Sequence, residues 1–260
     1  MIGINDAASL NQSDVGISVD SAVDIAKESA DIILLEKDLM VLEEGVLEGR
    51  KTYGNLIKYI KMATSSNFGN MFSVLLASLF LPFLPILPIQ ILIQNILYDL
   101  SQLAIPMDNV DKEYILKPRK WNTKSVSSFM KYMGPVSSVF DVIVFFIMWY
   151  VFKANSLATQ ALFQTGWFVF GLVSQTMIVH FIRTTKIPFI QSRSSNSLLF
   201  STGIIVVIAM ILPYTWVGGL FGLVSLPGLY FAFLVGLIFI YAVFTQIIKK
   251  VYIKKYGEWI

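Results

Sequence analysis

Along this chain, apolar residues gather into six stretches, roughly 62–81, 86–105, 134–152, 159–182, 198–214 and 226–248, separated by short polar connections. Crossing a hydrocarbon core of roughly 30 Å takes about 20 mostly apolar residues in a helix. Five stretches meet that length comfortably and the fifth in order is the shortest, so the pattern predicts six transmembrane helices. The first 45 residues read differently. Asp14–Val19 and Asp31–Glu36 have strand patterns, and Ser21–Ala30 between them has helical periodicity with Asp20 or Ser21 as N-cap. From Asp38 onward, Leu39, Val41, Leu42, Val46 and Leu47 recur at helical spacing, and no proline interrupts the chain as far as Leu81. One long helix is therefore expected to leave the soluble part and become the first span. Gly45, Gly49 and Gly54 weaken it locally.

Composition agrees with a membrane chain. Of 260 residues 55% are hydrophobic and 14% charged, with a mean hydropathy of +0.67; soluble domains carry about 25% charged residues. The placement of the cations says more than the net +3. Lys and Arg populate the approach to the first stretch and the 106–133, 183–197 and C-terminal segments. The 82–85 and 215–225 connections have none, and 153–158 has Lys153 alone. By the excess of cations on the cytoplasmic side, this alternation gives six spans with both termini cytoplasmic, in a plasma or inner membrane. Trp149 and Trp216 fall near outer ends, and Trp121 and Trp259 near inner ends, as interfacial belts require. The opening residues lack a basic leader followed by an apolar stretch. With no cysteine, disulfides and thiolate metal sites are excluded. Scattered short groups of Lys and Arg give nucleic-acid binding no support.

The first two stretches hold polar residues that lipid does not favour: Asn67 and Asn70 in one, and Gln90, Gln94, Asn95, Asp99 and Gln102 in the other. Asn67 and Asn70 share a helix face, as do Asn95 and Asp99. At about 1.5 Å per residue, Asn70 lies roughly 12 Å in from Met62, and Asn95 and Asp99 roughly 15 and 9 Å in from Ile105. The two faces thus meet at about one level. A carboxylate there costs at least about 2.5–3.5 kcal/mol on insertion scales, and neither span contains Lys or Arg to offset it. A cation is the expected partner. The oxygen-only set, with Ser65, Ser66 and Tyr98 nearby, suits a hard ion such as Mg²⁺, which uses one or two carboxylates and keeps several waters. Pro82, Pro85 and Pro88 are placed to unwind the second helix and free carbonyls. Amides in such positions also serve as interhelical glue. Asp141 is a second intramembrane acid, expected to meet Lys131 or water. His180 reads as structural, Gln164 and Gln175 as packing polars, and Lys249–Lys255 as a mark of the inner membrane surface.

Gly3–Ala7 followed by Asp14–Val19 resembles the hinge of the phosphorylation domain of P-type cation ATPases. Glu48-Gly-Arg50, Ser65-Ser-Asn67 and Asn95-Ile-Leu-Tyr-Asp99 are similar to that family's stalk and its fifth and sixth spans. Val15–Ala26 and Pro106-Met-Asp-Asn-Val-Asp111 resemble its magnesium-importing type. The resemblance runs in order along the whole chain and implies that the six spans are the last six of ten. It implies residues 1–45 as the remnant of a cytoplasmic Rossmann-like, HAD-type phosphorylation domain, 46–61 as a helical stalk and 62–260 as the transmembrane domain. It also implies Asn67, Asn70, Asn95 and Asp99 as ion-binding residues, with Asn70, Asn95 and Asp99 as the metal ligands. Asn5 and Asp6 match positions near the phosphorylation site. Ile2 and Met1 stand where the family pattern has the Mg²⁺-binding Asp and its preceding Gly, and the phosphorylated Asp segment, nucleotide domain and first four spans have no counterpart.

The fold expected is therefore mainly α, a six-helix transmembrane bundle after a short α/β remnant. Its function would be the transport part of an ATP-driven Mg²⁺ or other divalent-cation pump. Its partners would be membrane lipid and the cation, with Mg²⁺ and ATP as cofactors only in the intact parent, and this chain alone would be inactive as an ATPase. The alternative is a non-catalytic bundle acting as a passive cation path or as the partner of another pump. An unrelated secondary transporter would show inverted repeats, which the sequence lacks.

Overall fold

The computed structural model describes residues 4–36, 38–257 and 259, so the reading of Met1 and Ile2 lies outside the described residues. The chain divides into two compact units, Met1–Thr52 and Tyr53–Ile260.

In the first unit a 3-10 turn, Ile4–Asp6, leads into helix α1 (Ala7–Gln12). Strand β1 (Ile17–Val19), helix α2 (Asp24–Glu28) and strand β2 (Ile32–Leu34) follow. The strands pair in parallel, Ile17 opposite Ile32 and Val19 opposite Leu34, and α2 supplies the crossover that parallel pairing requires. Gly16 N–H donates to the Asp31 carboxylate at 2.8 Å, tying the start of one strand to the other. The helix starts later than its sequence pattern predicts. Val23 is the N-cap, and ahead of it Ala22 N–H closes a turn on Val19. Ile32, Ile33 and Leu35 stay exposed.

Helix α3 (Leu39–Phe80) runs for 42 residues without a break, as the absence of proline predicts, and its residues from Tyr53 onward belong to the second unit. There the chain continues through α4 (Pro88–Gln102), the short α5 (Lys112–Ile115), α6 (Thr123–Phe146) with a π-helical turn over Ile147–Val151, and α7 (Gln160–Ile182). It ends with α8 (Asn196–Ile211), the short α9 (Trp216–Leu220) and α10 (Gly228–Tyr256). Each of the six apolar stretches thus lies on a helix. Four helical segments are long and apolar enough to cross a membrane: Thr123–Val151, Gln160–Ile182, Asn196–Tyr214 and Gly228–Tyr256. Helices α3 and α4 fall outside that set. Ser and Asn residues dilute the apolar half of α3, and α4 has 15 residues, about 22 Å of helix at the usual rise. The three prolines do not unwind α4. Pro82 and Pro85 lie in the turn before it, and Pro88 occupies its first position, where no hydrogen bond is lost.

Helix α7 is the centre of the bundle and packs against α4, α6, α8 and α10. Apolar and small residues surround its whole circumference, and Phe163, Phe168, Val169, Leu172 and Val179 are fully buried. A helix hydrophobic all round belongs in the middle of its neighbours. Helices α3 and α6 approach closely where each has a glycine. A Cβ on Gly134 would come within 2.5 Å of Phe68, and one on Gly69 within 2.9 Å of the Gly134 carbonyl oxygen. Small residues at such crossings let helix backbones meet in membranes.

Candidate functional site

Helix α4 is amphipathic in the inverted sense. Its buried face is polar, with Gln90, Gln94, Ser101 and Gln102, while Ile91, Leu92, Ile96 and Leu100 face outward. That arrangement suits a hydrocarbon surrounding, where polar groups must be satisfied internally. Gln90 shows how: its side-chain oxygen accepts from Leu87 N–H at 3.0 Å, capping the helix, and its nitrogen donates to the Phe221 carbonyl at 3.0 Å.

Of the four predicted ion ligands, Asn70 is half-buried and accepts a 2.7 Å hydrogen bond from Gln175 Nε2 of α7. Asn95 is half-buried, while Asn67 and Asp99 are exposed. The structure therefore does not gather all four into one cavity. Asn70 lines a narrow, partly open cavity, and the other three do not. That space lies between α3, α4, α6, α7 and α10, and Ser65, Ser66, Tyr98, Ser137, Asp141, Ser174, Gln175 and Tyr241 share its lining. Asn5 and Asp6 sit exposed on the 3-10 turn of the first unit.

Asp141 is the residue whose placement the sequence reading missed. It is buried, and among the described residues it forms no ion pair, neither with Lys131, which is exposed, nor with another cation. Ser73 Oγ donates to its Oδ2 at 2.6 Å and Trp167 Nε1 to its Oδ1 at 2.9 Å. A position near the inner end of an apolar stretch concealed this, because α6 starts eleven residues before that stretch and carries Asp141 into the packed part of the bundle. Gln175 is likewise more than a packing polar, since it holds Asn70. Gln164 donates to the Leu84 carbonyl at 2.8 Å. His180 is buried and hydrogen-bonded to Ser194 and Thr202 at 3.0 and 2.9 Å. Among the described residues, no three His, Asp or Glu side chains come together. A cation held by this chain would rest on single carboxylates with amide and hydroxyl oxygens, the ligand class that Mg²⁺ accepts alongside water.

A second polar centre lies where α3, the α4–α5 connection and the end of α7 meet. Buried Asp108 accepts from Arg183 Nε at 2.5 Å, Lys58 Nζ at 3.1 Å and Ser195 N–H at 3.0 Å. Lys58 also donates to Asn55 Oδ1 and the Asn109 carbonyl, both at 2.9 Å, so all three ammonium protons are used. Burial still holds its ammonium below the usual range, against the opposing pull of Asp108. Neighbouring Asp111 accepts from Thr184 and Ser192 hydroxyls at 2.7 and 2.9 Å. Burial raises its pKa, yet these bonds, the Thr185 amide and the Lys186 charge together hold it below the ordinary carboxylate value. In the sequence the cations of this centre stand out only as marks of membrane sidedness. Two acids within Pro106–Asp111, between cation-bearing segments, were the available signal.

Two inner-surface readings are corrected. Lys249 does not mark the surface: it is 2% exposed and donates to the Phe181, Thr184 and Lys186 carbonyls, closing the C-terminus of α7, where orphan carbonyls await a donor. Trp259 is no interfacial belt residue either. It is buried against Phe129 and Tyr252, and its Nε1 donates to the Ile182 carbonyl at 2.7 Å.

Comparison with known proteins gives this geometry its context. Residues 83–251 match the family model described as cation transporting ATPase, C-terminus. The chain is 58% identical over 257 residues to the "Magnesium-transporting ATPase, P-type 1" of Salmonella typhimurium strain LT2, covering 99% of this chain and 28% of that protein. It is 57% identical over 255 residues to the protein of the same name in Escherichia coli K12, again 28% of its length. A "Calcium-transporting ATPase" of Bacillus subtilis is 35% identical over 120 residues, 45% of this chain and 14% of that protein. The chain thus spans little more than a quarter of the length of its magnesium-named relatives.

Proposed function

The chain belongs to the cation-transporting ATPases, matching their C-terminal region, and from that premise we propose that it is the ion-binding membrane part of an ATP-driven Mg²⁺ pump. The observation that carries this is the alignment over 99% of the chain with a protein named as magnesium-transporting, together with the inverted polarity of α4. In this reading six helices cross the membrane: the apolar half of α3, then α4, α6, α7, α8 and α10, with both termini cytoplasmic. Residues 1–45 belong to the phosphorylation domain, where Asn5 and Asp6 flank the reaction centre. The exposed apolar side chains of β2 and Leu35 support that, since such surface calls for covering. Residues 46–61 form the stalk that couples this domain to Asn67 and Asn70.

The transported Mg²⁺ is bound by Asn67, Asn70, Asn95 and Asp99 with water. The side chains of Asn67 and Asp99 make no hydrogen bond with other described residues and lie exposed on their helices, which leaves their oxygens available to an ion and to further helices of a longer pump. The test is a chimera in which this chain replaces the matching 257 residues of the Salmonella relative. Mg²⁺ uptake by the chimera, lost in its Asp99→Asn form while phosphoenzyme still forms from ATP, is the expected result. Undiminished uptake in Asp99→Asn overturns the ligand assignment.

A further inference from the structure

Helix α4 buries an amide that the fold does not use. Gln94 is 6% exposed, yet its side chain makes no hydrogen bond with other described residues. The amides around it are partnered. Gln90, one turn toward Pro88, donates to the Phe221 carbonyl, while Gln164 and Gln175 of α7 donate to the Leu84 carbonyl and to Asn70. Interhelical glue is the usual role of a buried amide in a membrane bundle, and Gln94 does not supply it. A buried polar group without a partner costs free energy, and in the absence of bulk water nothing else offsets that cost.

The opposing helix makes room for this side chain. Gly171 of α7 faces it, and a Cβ there would collide with Gln94 Nε2. The Gly171 carbonyl accepts from Ser174 Oγ at 3.1 Å, not from the amide. Position along α4 shows what the amide can meet. At the usual rise Gln94 lies about 9 Å from Pro88, the end that the proposed topology puts outside, and Asp99 lies about 7.5 Å further in. Around the helix, at about 100° per residue, Asn95 stands between Gln94 and Asp99. Buried Gln94, half-buried Asn95 and exposed Asp99 therefore form a series of oxygens that steps inward and round the helix. Neither α4 nor the Gly171–Gln175 segment contains a charged side chain besides Asp99.

We propose that Gln94 is a transit residue for the transported cation, on the outer side of its ligands; this rests on the reading of Asn95 and Asp99 as the ion site. Mg²⁺ gives up its waters reluctantly and keeps several of them. The hydrogens of those waters point outward, and Gln94 Oε1 accepts from one of them. A neutral amide suits passage, because an ion must be held firmly enough to enter and loosely enough to move on. The carboxylate of Asp99 then holds it. Gly171 takes part through what it lacks, since a side chain there would push the amide aside.

The chimera described above carries the test. Gln94→Met keeps the length of the side chain and removes the amide. It is expected to raise the Mg²⁺ concentration for half-maximal uptake about tenfold, the scale of one hydrogen bond to a charged group, with maximal rate and phosphoenzyme yield unchanged. Its melting temperature is expected to equal or exceed the parent's, because no bond of the fold is lost. Gly171→Ala displaces the amide, so it is expected to shift the same constant the same way and to add nothing in the Gln94→Met background. An unchanged half-maximal concentration in Gln94→Met overturns the proposal. So does a lower melting temperature, which would make the amide a structural one, and so do independent, additive shifts from the two variants. Asp99→Asn in the same chimera separates the two readings. If it loses uptake while Gln94→Met transports as the parent does, the ion site stands and the role of Gln94 falls. If Asp99→Asn keeps full uptake, the ion site itself fails.

Discussion

At the scale of single residues, the buried ion cluster around Asp108 carries the sharpest consequence. Asp108→Asn removes the carboxylate shared by Lys58 and Arg183, whose side chains are 4% and 1% exposed. Breaking a buried pair by removing one partner costs about 3–5 kcal/mol, and thermal unfolding in detergent is expected to show a loss of that order. Asp111 predicts a dependence on pH. Because its pKa in the fold is lowered, it contributes stability above the unfolded value of about 3.9, and that contribution disappears as pH falls through the folded value. Thermal melts in acid should therefore drop more steeply below about pH 4 for the parent chain than for Asp111→Asn. A drop of equal steepness would remove the carboxylate from the account. Residue roles of this kind were poorly legible from sequence. Lys58, Arg183 and Lys249 sit where cations normally mark the cytoplasmic side, and what each one bonds to is set by residues 50 or more positions away.

Among elements, the contact between α3 and α6 depends on its glycines. Gly69→Ala would bring a Cβ against backbone that cannot rotate away, so it is expected to destabilise the bundle, where overpacking of this kind costs about 1–3 kcal/mol. Gly236→Ala on α10 has open space around it and is expected to stabilise by about 0.5–1 kcal/mol, the helix preference of Ala over Gly. Melting temperatures that move the same way in both variants would refute the packing argument. Helix positions were largely readable, since each apolar stretch lies on a helix. Their ends were not. The early start of α6 at Thr123, with Asn122 accepting from two backbone amides, adds eleven residues outside the apolar stretch. The short α4 stops before its apolar stretch does, as the chain turns through Leu103 and Ala104 into a 3-10 turn at Ile105–Met107.

For the whole molecule, the proposed six crossings are open to a direct check because the chain has no cysteine. Single cysteines at Leu84, Ser156 and Leu220 should react with an impermeant thiol reagent from the outside of intact cells, and ones at Pro118 and Gln191 after permeabilisation alone. Labelling of Pro118→Cys from outside would overturn the topology. Membrane character, the mainly helical fold and the likeness to cation pumps were legible in the sequence, because hydropathy and motif order are local properties that need no folded partner. The tertiary structure alone decided which polar residues meet. Asn67, Asn95 and Asp99 share helix faces with good candidates, yet a face faces a cavity only once neighbouring helices are packed around it. Packing α6, α7 and α10 against α3 and α4 puts Asp141, Tyr98 and Tyr241 around one narrow cavity and leaves Asp99 outside it. Helical spacing fixes neighbours within four residues, whereas Asp141 meets Ser73 across 68, and that distance is closed by the fold.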